Sequence, residues 1–272
     1  MSFMRFKKIF LFVFSFFIFT PFFYVYGEEL GIETFDARIV VNKNAEIEVT
    51  ERISYNFGNE RKHGIYREIP YSYQAGTETY TADVTSVIVT DGIGNPIPFG
   101  ESRGNGTLTV KIGDPKKTVT GEQVYVISYL VSGPFLYFDD HDEFYWNVTG
   151  FWQKPIKNAS VLVDLPVGAK ILSVSCYKGV EGSNQKCDSD ERLLNAERAG
   201  YAASAKNLKK NEGFTIAVAF PKGVIAEIKK PWEKNKSGFL QKFLPYGVPA
   251  VTLLYVLYLW FTKGETQRKV PR

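Results

Sequence analysis

The sequence predicts an all-β fold: an immunoglobulin-like β-sandwich, in one or two modules, exported and held to a membrane by one C-terminal transmembrane helix. Three observations carry this expectation. Short runs of alternating apolar and polar residues recur between Gly-, Pro- and Asn-rich turns, at the spacing of sandwich strands. Residues 243–261, FLPYGVPAVTLLYVLYLWF, form a nineteen-residue stretch without a formal charge. Residues 1–27 have the layout of a secretory signal, with Arg5, Lys7 and Lys8 ahead of an apolar run that ends at Val25-x-Gly27.

The strands justify themselves in order. Ile47, Val49, Ile53, Tyr55 and Phe57 share one face of a half-buried strand, with Glu48, Thr50, Arg52 and Ser54 on the other. Glu51 breaks this pattern by falling on the apolar face. A carboxylate there needs a partner or an edge position in water, and Arg61 and Arg67 are the nearby cations. Residues 80–91 read as a strand that ends in the turn 91–96, DGIGNP. Residues 107–112 alternate cleanly, with Leu108, Val110 and Ile112 inward. Residues 123–131 are apolar on both faces, as in a central strand. Further strands are expected around Phe144–Val148 and over 159–165, 169–177 and 213–220.

The uncharged stretch at 243–261 rises about 28 Å as a helix, close to the roughly 30 Å hydrocarbon core. Pro249 falls in its first turn, where a missing N–H is tolerated. LPYG at 244–247 lacks the threonine of a sortase signal and lies inside the span. A basic N-terminus that stays in the cytoplasm places the chain after Gly27 outside and the tail inside. The expected organisation is a signal peptide or signal anchor over 1–27 and β modules over 28–150 and 151–225. A Lys-rich linker over 226–242, the helix over 243–262 and a cytoplasmic tail over 263–272 follow.

The formal charge of +4 is carried by the two ends of the chain. Residues 28–262 hold 26 Lys and Arg against 28 Asp and Glu, so no electrostatic footprint for nucleic acid exists. Two cysteines, Cys176 and Cys187, read as a disulfide in an exported chain; the rival metal or redox reading lacks C-x-x-C spacing and a histidine nearby in sequence.

The stretch VTERISYNFGNERKHGIYREIPY, residues 49–71, resembles the hallmark of a bacterial membrane-protein family, domain of unknown function 2207. DEFYWNVTGFWQKPIKNASVLVDLP, residues 142–166, resembles that family's second shared stretch, and the segment from Cys176 to Cys187 its paired cysteines. The similarity runs from Ile32 to Pro221 in order. It implies a signal sequence, an exported β-rich region with a GIYR-x-IP stretch, and later transmembrane helices. It implies no activity. Many relatives continue into a cytosolic region, whereas one span and a short tail are expected here.

Few residues nominate chemistry. Asp139, Asp140, Asp142 and Glu143, around His141, form the densest acidic cluster and a weak calcium candidate without EF-hand spacing. Arg61, His63, Tyr66 and Arg67 form a cationic, aromatic stretch, read as a loop, that suits lipid headgroups, wall polymer or the carboxylates of an envelope protein. Arg67 has a second reading as the buried partner of Glu51. No G-x-S-x-G, H-E-x-x-H, P-loop or dinucleotide fingerprint is present, and no two carboxylates are singled out for glycoside chemistry. The expectation is therefore a non-catalytic binding or scaffolding module at the envelope, with a wall or glycan hydrolase as the alternative. No cofactor beyond weak calcium is expected.

Overall fold

A computed structural model of the chain describes residues 30–75, 78–194, 199–227 and 258–259. The expected signal, the expected linker after Glu227, most of the expected membrane helix and the expected tail lie outside these residues. Among the described residues, no helix is long and apolar enough to cross a membrane.

The first half of the chain contributes β1 (Gly31–Val41), β2 (Glu46–Asn56), β3 (Ile65–Pro70), β4 (Ser72–Ala75), β5 (Glu78–Thr81), β6 (Asp83–Asp91), β7 (Phe99–Gly104), β8 (Thr107–Ile112) and β9 (Glu122–Ser132). The second half contributes β10 (Phe135–Tyr137), β11 (His141–Asn147), β12 (Ile156–Asp164), β13 (Ser173–Gly179), β14 (Gln185–Lys186), β15 (Ser189–Leu194), β16 (Ala199–Leu208) and β17 (Gly213–Pro221). The all-β class is what the alternating runs imply.

Seven strands form one sheet in the order β15-β16-β12-β1-β2-β9-β6. A five-stranded sheet runs β10-β11-β17-β13-β14, a three-stranded sheet runs β3-β8-β7, and β4 pairs with β5. The division expected at residue 150 cuts through both larger sheets, because each takes strands from either side of it. The closest tie is the parallel pairing of β1 with β12, from Ile32↔Ile156 to Val40↔Asp164. A sequence period reports which face of a strand is buried, not which distant strand lies beside it.

The inward faces follow the alternation. Ile47, Val49 and Ile53 of β2, Tyr125, Ile127, Tyr129 and Val131 of β9, and Val161 and Val163 of β12 are buried. They share one core cluster with Phe144 and Trp146 of β11 and Phe214, Ile216, Val218 and Phe220 of β17. At the sheet edge, β6 carries a register break between Thr85 and Ile88, with Ser86 at φ 55°, which interrupts the ladder where another chain would otherwise pair.

The seven-stranded sheet has two distinct ends. Leu30 enters at the start of β1. Eleven residues later, roughly 33 Å along the strand, the chain reaches the β1–β2 turn. There the Ala226 N–H donates to the Lys43 carbonyl at 2.7 Å. Thus the chain comes in at the Leu30 end and leaves the described fold at the Ala226 end.

Candidate functional site

The cationic stretch expected as a loop is a strand from Ile65 onward. Ile65, Arg67 and Ile69 face inward while Tyr66 and Glu68 face outward. An arginine in the middle of the inward set hides this alternation in the sequence. Gly64 sits where β3 begins, at φ +140°, and a Cβ there would lie 1.9 Å from the Ile112 carbonyl oxygen.

Arg67 and Glu51 are both fully buried, at 0% exposure, and meet as a fork. Arg67 Nε donates to Glu51 Oε2 and Nη2 to Oε1, each at 2.7 Å. Nη2 also donates to the Val148 carbonyl at 3.0 Å, and Nη1 donates to the carbonyls of Thr149 at 2.8 Å and Glu68 at 2.5 Å. All five guanidinium N–H groups therefore have acceptors. The Tyr129 hydroxyl donates to Glu51 Oε1 at 2.6 Å, and the Phe35 ring lies 5.3 Å from the Arg67 carbon Cζ. Burial alone pushes the Arg67 pKa down; the Glu51 charge and its hydrogen bonds outweigh that and hold it above its ordinary value. With every N–H bonded, the guanidinium ties β3 both to Glu51 of β2 and to the backbone that follows β11.

What it holds is the turn after β11. The Gly150 N–H donates to Asn147 Oδ1 at 2.9 Å, and Trp152 Nε1 donates to the same Thr149 carbonyl that accepts from Arg67, at 2.8 Å. Gly150 stands at φ +69°, and a Cβ there would come within 2.8 Å of Arg67 Nη1 and of the Glu68 oxygen. Thus the two stretches that carry the family resemblance, around Arg67 and around Gly150, are parts of one buried joint.

Beside this joint, at the Leu30 end, lies an open groove of about 490 Å³. Leu30, Tyr55 and Phe57, then Ile65, Tyr66 and Glu68, and finally Phe151, Trp152 and Lys154 line it, with Glu60 and Lys62 at its border. The Tyr55 and Phe57 rings lie 4.4 Å apart between centroids with their planes tilted by 38°, and Tyr66 is 57% exposed with the Lys111 ammonium 5.7 Å over its ring. Burial, then the charge of Glu60, raise the Tyr55 phenol. Lys62 pairs with Glu60 at 3.1 Å, and His63 Nδ1 lies 2.7 Å from the Lys117 carbonyl oxygen. Of the stretch singled out in the sequence, Arg61, His63 and Tyr66 are exposed while Arg67 points into the core. Trp152 and Phe151, which shape the groove, were not singled out; aromatic residues in a turn carry no periodic signal.

The family described as "Predicted membrane protein (DUF2207) N-terminal domain" matches residues 31–220. The chain belongs to that family. A curated relative, Uncharacterized protein YciQ of Escherichia coli (strain K12), is 26% identical over 214 residues, covering 76% of this chain and 32% of that protein. The chain spans about a third of the length of this curated relative. Among solved structures, an M1 zinc metallopeptidase from Deinococcus radiodurans aligns with 70% of this chain and 42% of that chain at TM-score 0.40 and 9% identity. Native leukotriene A4 hydrolase from Saccharomyces cerevisiae aligns with 70% of this chain and 29% of that chain at TM-score 0.40 and 8% identity. Likeness at that level carries no argument about this DUF2207 domain.

The acidic cluster is divided among separate tasks. Asp142 is buried and accepts from Lys222 Nζ at 2.8 Å. Asp140 lies 2.6 Å from His141 Nδ1, and that contact lowers its pKa. Asp139 and Asp140 occupy the β10–β11 turn, while Asp142 and Glu143 belong to β11. Burial raises the Glu143 carboxyl, and His141 opposes that. Among the described residues, the one set that brings three metal-ligand atoms together is Cys176, Cys187 and Asp190, and there the two sulfurs are joined as a disulfide, Cα to Cα 5.5 Å.

Proposed function

We propose that this protein is a membrane-anchored, extracytoplasmic module of sandwich architecture that binds or scaffolds a partner at the cell envelope without catalysing a reaction. The groove at the Leu30 end is the surface that carries this reading. Its wall is aromatic, and Trp152 is held in it by the carbonyl that Arg67 also fixes. A fully bonded buried ion pair fixes geometry at a site, and a fixed aromatic wall with polar groups at its rim is the form of a recognition surface.

The hydrolase reading needs titratable groups that converge on substrate. Glu51 and Arg67 are sealed from solvent, and His141 lies in the β10–β11 hairpin, away from the groove. The immunoglobulin-like arrangement, the signal peptide or signal anchor over 1–27 and the helix over 243–262 belong to the same proposal, supported by the hydropathy pattern and by the family's description as a membrane protein.

The test uses the full chain in membrane extracts and on isolated wall. Capture of a protein or retention on wall polymer is expected, and Tyr66→Ala and Phe151→Ala are each expected to abolish it, Tyr66→Ala while leaving the melting curve unchanged. Retention of the partner by both groove variants refutes the assignment of the surface. Turnover of wall fragments that is lost in Glu60→Gln or Glu68→Gln replaces the binding reading with the hydrolase.

A further inference from the structure

The seven-stranded sheet separates the groove from the point where the chain leaves the fold. β17 runs toward the Ala226 end, pairing His141↔Pro221 with β11 on one side and Ser173↔Ala219 with β13 on the other. After Pro221 the chain reaches the β1–β2 turn, where Ala226 bonds Lys43. Two apolar projections flank this exit strand. On the β11 side the hairpin tip carries Phe138, 44% exposed and stacked on His141 at 4.6 Å. On the β13 side the β12–β13 loop carries Val167 and Leu172, 74% and 50% exposed. Leu172 is tied to the exit strand by its N–H to the Ala219 carbonyl at 2.9 Å.

Fifteen residues, 228–242, separate Glu227 from the uncharged apolar stretch at 243–261. Exposed apolar tips on both sides of a strand that leads toward such a stretch have one natural occupant. We propose that the Ala226 end of the fold docks on the surface of the lipid bilayer through Phe138, Val167 and Leu172, so that the groove faces away from the membrane. The proposal rests on the membrane-anchored reading above. The tether does not impose this orientation, because fifteen extended residues reach about 50 Å, further than the sheet is long. On these loops exposed Lys43, Lys170 and Lys222 stand against exposed Asp139, Asp140 and Glu227, so the contact is apolar rather than electrostatic.

The experiment uses the full chain reconstituted in vesicles of phosphatidylethanolamine and phosphatidylglycerol. A polarity-sensitive fluorophore is placed at Val167→Cys and, at the opposite end of the sheet, at Ile93→Cys, which is 87% exposed. Both positions are in surface turns, and the native cysteines are joined to each other. Quenching by bromolipid is expected to be about threefold or more stronger at position 167 than at 93, and Leu172→Asp is expected to reduce it. The contrast is expected to survive high salt. Equal quenching at both positions, quenching at neither, or stronger quenching at 93 overturns the proposal, and loss of the contrast in high salt overturns its apolar basis. Flotation after an alkaline carbonate wash is measured on the same samples. Failure to float refutes the anchored reading itself; flotation without the contrast refutes only the docking.

Discussion

Removing the Arg67 side chain tests the buried joint most directly. In Arg67→Ala, Glu51 is left at 0% exposure with the Tyr129 hydroxyl as its remaining side-chain donor among the bonds described above. Breaking a buried pair by removing one partner costs about 3–5 kcal/mol. The Val148 and Glu68 carbonyls also lose donors, at about 1–3 kcal/mol each if water does not replace the side chain. For a domain of this size each kcal/mol moves Tm by about 2–4 °C, so loss of the pair alone is expected to lower Tm by about 6–20 °C, and by more where the two carbonyls stay dry. Arg67→Lys keeps the charge but offers three donors in place of five and no fork, and is expected to fall between wild type and alanine. The double variant Glu51→Leu with Arg67→Met removes the orphaned charge and is expected to recover part of the loss. It does not reach wild type, because the two carbonyls remain without their donors. The assay is thermal unfolding of the full chain in detergent, followed by near-ultraviolet circular dichroism. An Arg67→Ala protein within about 1 kcal/mol of wild type refutes the structural role, since no buried pair can be broken so cheaply. A stable variant that has lost partner capture would instead place Arg67 in recognition.

The other predictions use the same preparation. Gly150→Ala forces a side chain into positive φ and against Arg67 and is expected to lose about 2–4 kcal/mol, whereas Gly168→Ala, also at positive φ but with nothing within 4 Å, is expected to lose about 1; equal losses on thermal unfolding would remove the packing argument. Reduction of the Cys176–Cys187 bond, which closes a sequence separation of eleven, is expected to lower stability by about 2–3 kcal/mol, and labelling of intact cells that finds both as free thiols on the cytosolic side would overturn the exported reading. A calcium site with a millimolar Kd would add about 1.4 kcal/mol at ten times that concentration; with Asp142 and Asp140 already engaged, a smaller shift in the melting curve is expected, and a full shift abolished by Asp139→Asn would restore the site. Hydrogen bonds from the Asn95 side chain, then from the backbone of Asn95 and Ile93, hold the Asp91 carboxyl below its ordinary value. Its contribution to stability is therefore present above the ordinary carboxylate pKa and is lost as pH falls through the lowered one; Asn95→Ala is expected to raise the titration midpoint read by NMR, and no movement would refute the assignment.

Much of the fold was legible where strands are half-buried and built from large residues. β2, β8 and β17 follow from alternation alone, and β9 from a run that is apolar on both faces. β16 was not, because its inward positions include Ala203 and Ala205 beside Tyr201, and Ala and Gly have little strand preference. β1 escaped for a related reason: Phe35, Ala37, Ile39 and Val41 alternate, but Ala37 dilutes the pattern and a register break after Ile32 interrupts it. β3 was hidden by Arg67, since an apolar template scores an inward arginine as a mismatch. Glu51 was legible for the opposite reason. It violates a clear pattern, and a violation on a buried face requires a partner, which narrows the choice to the few cations near in sequence. The groove was not legible, because its walls come from β2, β3 and the turn after β11, and only the tertiary fold brings them together.

The two stretches that most resemble the family meet at one joint, and this bears on where function resides. Arg67 bonds the carbonyls of Val148 and Thr149, and Gly150 leaves no room for a Cβ against it. A requirement for those residue types follows from packing and hydrogen bonding alone, so their recurrence in relatives would need no shared ligand. The residues free to vary with a partner are those on the groove's open side, above all Tyr66, with Glu68, Phe151 and Lys154 around it. If the joint is a frame and the groove is the readout, substitutions at Arg67 change unfolding first and binding only through Trp152, while substitutions at Tyr66 change binding and leave unfolding alone. The reverse assignment predicts the reverse ordering, so measuring both properties on both variants decides between them.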